Sequence, residues 1–157
     1  MGVDVILRLI DQSFDHKAWH GPTLWGGLRG IQAAEAAWRP GAGRHNIWEI
    51  AVHAAYWKYA VRRKLAGLPP GSFPLKGSNW FPRPAELSES SWKADRELLR
   101  DQHAALRAAV AKLPEAQLRR VPPGSKTAWI DLLLGIAAHD LYHAGQIQLL
   151  KRLRRTS

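Results

Sequence analysis

The ten prolines of this 157-residue chain are unevenly distributed, and their placement limits what the chain can fold into. None occurs in residues 41–68, 85–113 or 124–157. Proline breaks the interior of a helix, so long tracts without it that are rich in alanine, leucine and charged residues predict helices. A sustained alternation of β-branched residues, which would indicate strands, is missing from the sequence. The sequence therefore predicts an all-α protein.

Capping residues and glycines mark where the helical tracts begin and end. Asn46 is followed three residues later by Glu49, which is the spacing of a capping box at the start of a helix. Gly67, followed by Pro69, predicts the end of that helix. The predicted capping residues are Asn46, Ser88 or Ser90, and Thr127.

A helix from about Val3 to Phe14 brings the number of principal helices to four, and residues 33–37 predict a further short turn of helix. Four helices that each carry one apolar face are typical of a four-helix bundle. The chain is long enough to bury a substantial core, so we expect a single domain over residues 1–157.

The link from Leu68 to Pro84, between the second and third principal helices, is rich in prolines and aromatic residues and too long for a hairpin turn. We expect it to pack against the end of the bundle, with a lid over a site as the alternative. Trp80, within this link, is the candidate for a pocket wall. Three other tryptophans fit core-facing positions on the predicted helices, namely Trp48, Trp57 and Trp129.

Composition excludes several classes of site and of protein. The chain has no cysteine, so disulfides, thiolate metal sites and cysteine nucleophiles are excluded, and any metal must have nitrogen or oxygen ligands. The formal net charge of +10 would suit nucleic acid, but the cationic runs lie near predicted helix ends and no groove-reading motif accompanies them. The apolar runs are too short to span a membrane and the N-terminal residues do not resemble a signal peptide, so we expect a cytoplasmic protein.

Two histidines in the last proline-free tract have the spacing of metal ligands. His139 and His143 lie about 40° apart around a helix and roughly one turn apart along it, so both imidazoles can reach one cation. Both continue the apolar stripe of their helix. His53 occupies a similar inward position on another predicted helix. Three buried imidazoles without a cation would be costly, and three protein ligands leave a position open for chemistry, so we predict a metal site. Core histidines with satisfied hydrogen bonds are the alternative.

The remaining histidines are weaker candidates. His16 and His20 have the same spacing, but the Gly-Pro that follows must end a helix there, which disfavours them as ligands. His45, beside a helix cap, and His103, among charged residues, are predicted to be exposed.

No general base stands out from the sequence. Glu49 lies one turn before His53 and could act as a base, although its place in the capping box explains it equally well. Gln146 lies one turn after His143 and could hydrogen-bond a ligand or an imidazole, or simply be a packed polar residue.

The segment HNIWEIAVHAAYWKY (45–59), together with AHDLYHAGQIQ (138–148), resembles the DinB/YfiT-like metalloproteins. The resemblance implies a four-helix bundle, often dimeric, that binds zinc, nickel or a similar divalent ion through three histidines. Those ligands fall on His53, His139 and His143. Relatives in this family include thiol-dependent S-transferases and isomerases that use low-molecular-weight thiols.

We therefore expect a divalent-metal-dependent enzyme that activates water or a thiol for hydrolysis or thiol transfer on a small molecule. A homodimer is expected from the resemblance. Two alternatives remain open: a non-catalytic bundle that binds a metal or ligand, and, less favoured, a basic module for nucleic acid.

Overall fold

The computed structural model describes residues 2–157 and is built from helices, with no strand among the described residues. The elements are α1 (Val3–Phe14), α2 (Leu24–Gly27), α3 (Ala33–Ala37), α4 (Ile47–Leu65), α5 (Glu89–Ala111), a 3₁₀ turn (Glu115–Gln117) and α6 (Trp129–Thr156). The predicted all-α fold is confirmed, and α1, α4, α5 and α6 are the four long helices. None of the helices within residues 2–157 is long and apolar enough to cross a membrane.

Two of the three predicted caps of the long helices are confirmed. The Asn46 side chain accepts a hydrogen bond from the Glu49 amide at the start of α4 (2.7 Å), and the Ser88 hydroxyl accepts from the Ser91 amide at the start of α5 (3.2 Å). The prediction for Thr127 is wrong. Ala128 precedes the first turn of α6 and no side chain caps it, because Thr127 belongs to a turn in which both its amide and its carbonyl bond Ser125.

The helices α4 and α6 pack against each other in antiparallel directions. Lys58 pairs with Asp140, while residues nearer the start of α4 share a cavity with residues near the end of α6. Residues near the end of α4, in turn, share a cavity with the first turns of α6. Further packing joins α4 to α5 and α1 to α6 and α5, which completes the bundle.

The apolar core is divided into two clusters along the bundle. The first cluster joins the N-terminal half of α4 and α5 to the C-terminal half of α6, and it includes Trp48, Trp92 and Ile147. The second joins the other ends of the same helices to α1, with Ile10 and Leu133 among its members. Between these clusters each long helix carries buried polar residues, namely Asp11, Ser13, His53, Lys58, His103, Asp140 and His143. A polar layer therefore crosses the middle of the bundle.

The burial predicted for two residues is wrong. His103 is buried rather than exposed, and its ring stacks on Phe14 with centroids 3.6 Å apart. Its charged neighbours in sequence face away, whereas helical spacing puts His103 in line with Leu99 and Leu106 on the core face of α5. Trp57 is 38% exposed rather than in the core, because it lies at the edge of α4 where its indole donates to the Asn79 side chain.

The link between α4 and α5 packs along α4. Phe73 and Phe81 are buried and contact the rings of Tyr56 and Tyr59. Ser72 is tied to the same helix, since its amide donates to the Tyr59 hydroxyl (3.1 Å). The link packs against the bundle as expected, but along α4 rather than against the end of the bundle. Its role as a lid stays a prediction.

Candidate metal centre

The polar layer brings His53 and His143 together with the half-buried His139 between α4 and α6. Each offers one ring nitrogen, and these three atoms all lie within 4.8 Å of one another. The Nε2 atom of His139 is 3.0 Å from the Nε2 atoms of both His53 and His143. The arrangement follows from helix geometry, because residues four apart on α6 share the face that α4 covers.

Two of the three imidazoles are oriented by hydrogen bonds from their other nitrogen. His53 Nδ1 lies 2.8 Å from the backbone carbonyl of Asn79, and His143 Nδ1 lies 2.7 Å from the amide oxygen of Gln146. Because both oxygens only accept, each Nδ1 carries the hydrogen and each Nε2 presents a lone pair to the centre of the cluster. His139 Nδ1 is buried without a hydrogen-bond partner in the structure of residues 2–157.

This donor set fits a divalent cation. A hydrogen on His139 Nε2 could be donated to only one of its two neighbours at 3.0 Å, so at least two lone pairs still converge and repel one another unless a positive charge lies between them. Two nitrogens that each lie about 2.0–2.1 Å from a metal are about 2.8–3.4 Å apart for right-angle or tetrahedral geometry. Nitrogen ligands suit zinc, nickel, cobalt, copper and iron better than magnesium or calcium.

Burial keeps the three imidazoles neutral at pH 7, which is the form that binds a metal. It lowers the pKa of His139 to about 3, with a smaller contribution from His143 and His53, and it lowers the pKa of His143 to about 4. The pKa of His53 is also lowered by burial, although the hydrogen bond to Asn79 opposes that shift.

The carboxylate of Glu49 lies in a network beside the cluster. Arg39 donates to both of its oxygens (2.9 and 2.5 Å), and His45 Nδ1 lies 2.9 Å from Oε2. Burial alone would raise the pKa of Glu49, but the hydrogen bonds from Arg39, His45 and the Arg83 amide lower it to about 2. Glu49 is therefore a fixed anion, and its predicted catalytic role stays a prediction.

Two cavities flank the histidine cluster along the groove between α4 and α6. We call the one that reaches His143 the His143 cavity. It has a volume of about 540 Å³, and His45, Trp80, Tyr142 and Gln146 also line it. The other has a volume of about 370 Å³ and reaches His139, with Trp57 in its wall. Trp80 is therefore a pocket wall, as the sequence predicted.

The link between α4 and α5 supplies part of this site. The Trp80 indole lies between two imidazoles, with ring centroids 3.6 Å from His45 and 3.8 Å from His53, and it is nearly parallel to both. Asn79 has a positive φ of 65°, a conformation that asparagine tolerates better than most residues, and its carbonyl faces His53.

Sequence reasoning missed Asn79, the contacts of His45 and the Lys58–Asp140 pair. The exposure of His45 is as predicted. His45 precedes the Asn46 cap and Glu49 is the third residue of α4, so their contact lies outside the regular helix and could not be found from helical spacing. The Asn79 contact carried no signal, because every residue has a backbone carbonyl.

The second histidine pair with the spacing of metal ligands, His16 and His20, does not form a site. His16 and His20 lie beyond the end of α1 and are exposed, and His16 Nδ1 contacts Asp15 (2.6 Å). Neither belongs to the group of converging ligands found within residues 2–157.

The fold and the site define a class of protein: a helical bundle with a buried three-histidine cluster between two of its long helices. Residues 19–147 match the sequence profile of the DinB superfamily, and this range includes all three histidines. The chain belongs to the DinB superfamily. Neither the curated proteins nor the solved structures give a match to this chain.

Proposed function

We propose that this protein is a divalent-metal-dependent enzyme that activates water or a thiol for hydrolysis or thiol transfer on a small molecule. The observation that carries the proposal is the convergence of three neutral imidazoles, two buried and one half-buried, next to a cavity of about 540 Å³. His53, His139 and His143 would hold the ion, with zinc or nickel as the expected metals. A divalent cation bound by neutral ligands keeps its charge and lowers the pKa of a bound water or thiol.

The surrounding residues orient this site rather than share in holding the ion. Asn79 and Gln146 fix the tautomers of His53 and His143, while Trp80 packs flat against the His53 ring. The walls of the His143 cavity are largely apolar, with leucines from the last turns of α6, so a small organic substrate can bind there against apolar surface.

The packing of the apolar core favours a catalytic role for the metal over a structural one. The two apolar clusters contain all the long helices and do not include the histidines. A structural metal typically closes a fold that has too small a core, which is not the situation here. We therefore expect the protein to remain folded when the metal is removed.

Metal analysis of purified variants tests the proposal. We expect wild-type protein, loaded with zinc or nickel and freed of excess by gel filtration, to retain one ion per chain by mass spectrometry of the metal. His53→Ala and His139→Ala should lose it, whereas His20→Ala, which changes an exposed histidine outside the cluster, should keep it. Circular dichroism should show the same helix content in all four proteins.

Three outcomes would count against the proposal. Wild-type protein that retains no ion would remove the metal site, and variants that retain it would place the site elsewhere. Unfolding of the wild-type protein by a chelator would show that the metal is structural, which favours the non-catalytic alternative.

The substrate class and the assembly state are further parts of the proposal. The metal-loaded protein should hydrolyse an activated ester such as 4-nitrophenyl acetate, or transfer the thiol of cysteine or glutathione to an electrophile such as 1-chloro-2,4-dinitrobenzene. A low-molecular-weight thiol is the expected co-substrate, and a homodimer, measured by light scattering, is the expected assembly.

A further inference from the structure

We infer that His45 is the general base of this site and takes the proton from a water or thiol that enters the His143 cavity. The inference rests on the proposed function, because it assigns a proton acceptor to the same site. The sequence alone indicated an exposed histidine without a role, and the structure shows that its contacts are specific.

The first observation is the pairing of His45 with Glu49. His45 Nδ1 donates to Glu49 Oε2 (2.9 Å), and the side chain of Glu49 is only 7% exposed. Arg39 bonds both carboxylate oxygens and keeps Glu49 anionic. A buried anion that accepts from Nδ1 fixes the tautomer of the imidazole and leaves Nε2 as the free proton acceptor, as in catalytic histidine–carboxylate pairs.

The second observation is how the ring is held. The His45 imidazole stacks on Trp80 with centroids 3.6 Å apart and planes 6° from parallel. The opposite face of the same indole lies against His53. His45 is therefore fixed at a set position relative to the histidine cluster, through one shared aromatic ring and not through direct contact with any of the three clustered histidines.

The third observation is the lack of a rival acceptor in the His143 cavity. His143 and Gln146 also line it, but His143 Nε2 faces the cluster and the Gln146 oxygen accepts from His143 Nδ1. The Tyr142 hydroxyl already accepts from Gln146. His45 lines the cavity, its Nε2 has no hydrogen-bond partner from residues 2–157, and its side chain is 46% exposed.

The proton transfer is simple to balance. The O–H or S–H bond of the entering molecule breaks, its electron pair stays on oxygen or sulfur, and a new N–H bond forms at His45 Nε2. The resulting imidazolium is stabilised by the Glu49 carboxylate, while Arg44, which also lines the cavity, and Arg39 are the cations that oppose it. In hydrolysis the proton then passes to the leaving group, and when a halide leaves it passes to solvent; either step returns His45 to its starting form.

Cobalt(II)-loaded protein allows a test that does not need turnover. Stopped-flow absorption measures how fast two probes perturb the cobalt spectrum at pH 7: 2-mercaptoethanol, which must lose a proton, and azide, which has none to lose. We expect His45→Gln to slow the thiol reaction by about 100-fold or more, the range of general base catalysis, and to leave azide binding and cobalt content unchanged. His20→Gln is the matched control and should change neither rate.

A second measurement on the wild-type protein does not depend on the folding of a variant. Long-range ¹⁵N NMR distinguishes the two neutral tautomers of each histidine. We expect His45 to carry its hydrogen on Nδ1, since the Glu49 oxygen accepts there.

Each remaining outcome overturns the inference. Equal slowing of thiol and azide in His45→Gln would mean that His45 only supports Trp80, and unchanged rates would mean that it takes no proton. Azide binding without thiol binding in the wild-type protein, or an Nε2–H tautomer, would also contradict it. A protein that binds no cobalt would contradict the proposed function itself. That outcome differs from the others, which contradict only the role of His45.

Discussion

At the residue scale, the second nitrogen of each clustered imidazole decides how well the first can bind a metal. Gln146 supplies the acceptor for His143 Nδ1, and its own amide group donates to the Tyr142 hydroxyl (3.1 Å). Such outer partners orient the ring and raise its basicity. They belong to the site although they do not touch the ion.

Replacing Gln146 with leucine keeps the size of the side chain and removes this acceptor. We expect Gln146→Leu to weaken zinc or nickel binding by about 10- to 100-fold, because His143 can then rotate and adopt the other tautomer. Competition with a chromogenic chelator measures the affinity. Gln146→Glu keeps an acceptor oxygen and should bind within a few-fold of wild type, whereas wild-type affinity in Gln146→Leu would refute an orienting role.

The sequence allowed part of this arrangement to be predicted. The shared face of His139 and His143 follows from helical spacing, and the inward position of His53 follows from its apolar neighbours. The bonds that orient them were beyond prediction where they come from another segment. Asn79 contributes a backbone carbonyl 26 residues along the chain from His53, and residue type carries no information about where that carbonyl points.

At the scale of the elements, a buried ion pair joins α4 to α6 next to the metal centre. Lys58 Nζ lies 2.5 Å from Asp140 Oδ2, both side chains are 1% exposed, and Lys58 also lies over the ring of Phe14 (5.0 Å) at the end of α1. Burial raises the pKa of Asp140, and the Lys58 ammonium opposes that shift. Neither charge can be removed alone without leaving the other in the core.

Removal of one partner should therefore destabilise the bundle strongly. We expect Lys58→Met to lower the free energy of unfolding by about 3–5 kcal/mol, measured by urea denaturation. The double variant Lys58→Met with Asp140→Leu removes both charges and should recover most of the loss, since a buried ion pair often contributes little net stability. A double variant as unstable as the sum of the two single variants would contradict this account.

The limits of some helices could be predicted from the sequence, and those of others could not. The limits of α4 followed from Asn46 and Gly67, because capping is a local property. The start of α6 did not, since Thr127 is used in a turn with Ser125. The path of the link between α4 and α5 depends on Phe73 and Phe81 finding the tyrosines of α4, and such contacts between distant segments leave no periodicity in the sequence.

At the scale of the whole molecule, the polar layer separates two apolar clusters, and each part has a different role. The clusters hold the bundle, while the layer holds the three histidines, the Lys58–Asp140 pair and His103. Buried polar groups contribute less to stability than apolar ones of the same size, so such a layer is expected where function requires it. The layer also makes the fold sensitive to acid, because several of its members are histidines that fold in the neutral form.

His103 offers the clearest measure of that sensitivity, because it is buried outside the metal centre. Burial, with smaller contributions from the positive charges of Lys58 and Arg107, lowers its pKa from 6.5 to about 2. Between these values the unfolded chain binds a proton that the folded chain does not, so the contribution to stability is complete above pH 6.5 and is lost as the pH falls. The loss is about 1.4 kcal/mol for each pH unit below 6.5.

His103→Phe keeps an aromatic ring against Phe14 and removes this titration. With metal removed from both proteins by a chelator, urea unfolding at pH 7.5 and 5.5 should show that the wild type loses about 1.4 kcal/mol more than the variant over this interval. The clustered histidines titrate in both proteins and cancel in the comparison. An identical loss in the two proteins would contradict this account, because it would mean that His103 is protonated in the folded state at pH 5.5. A buried imidazolium needs an anion beside it, and no residue among 2–157 accepts a hydrogen bond from His103 Nδ1.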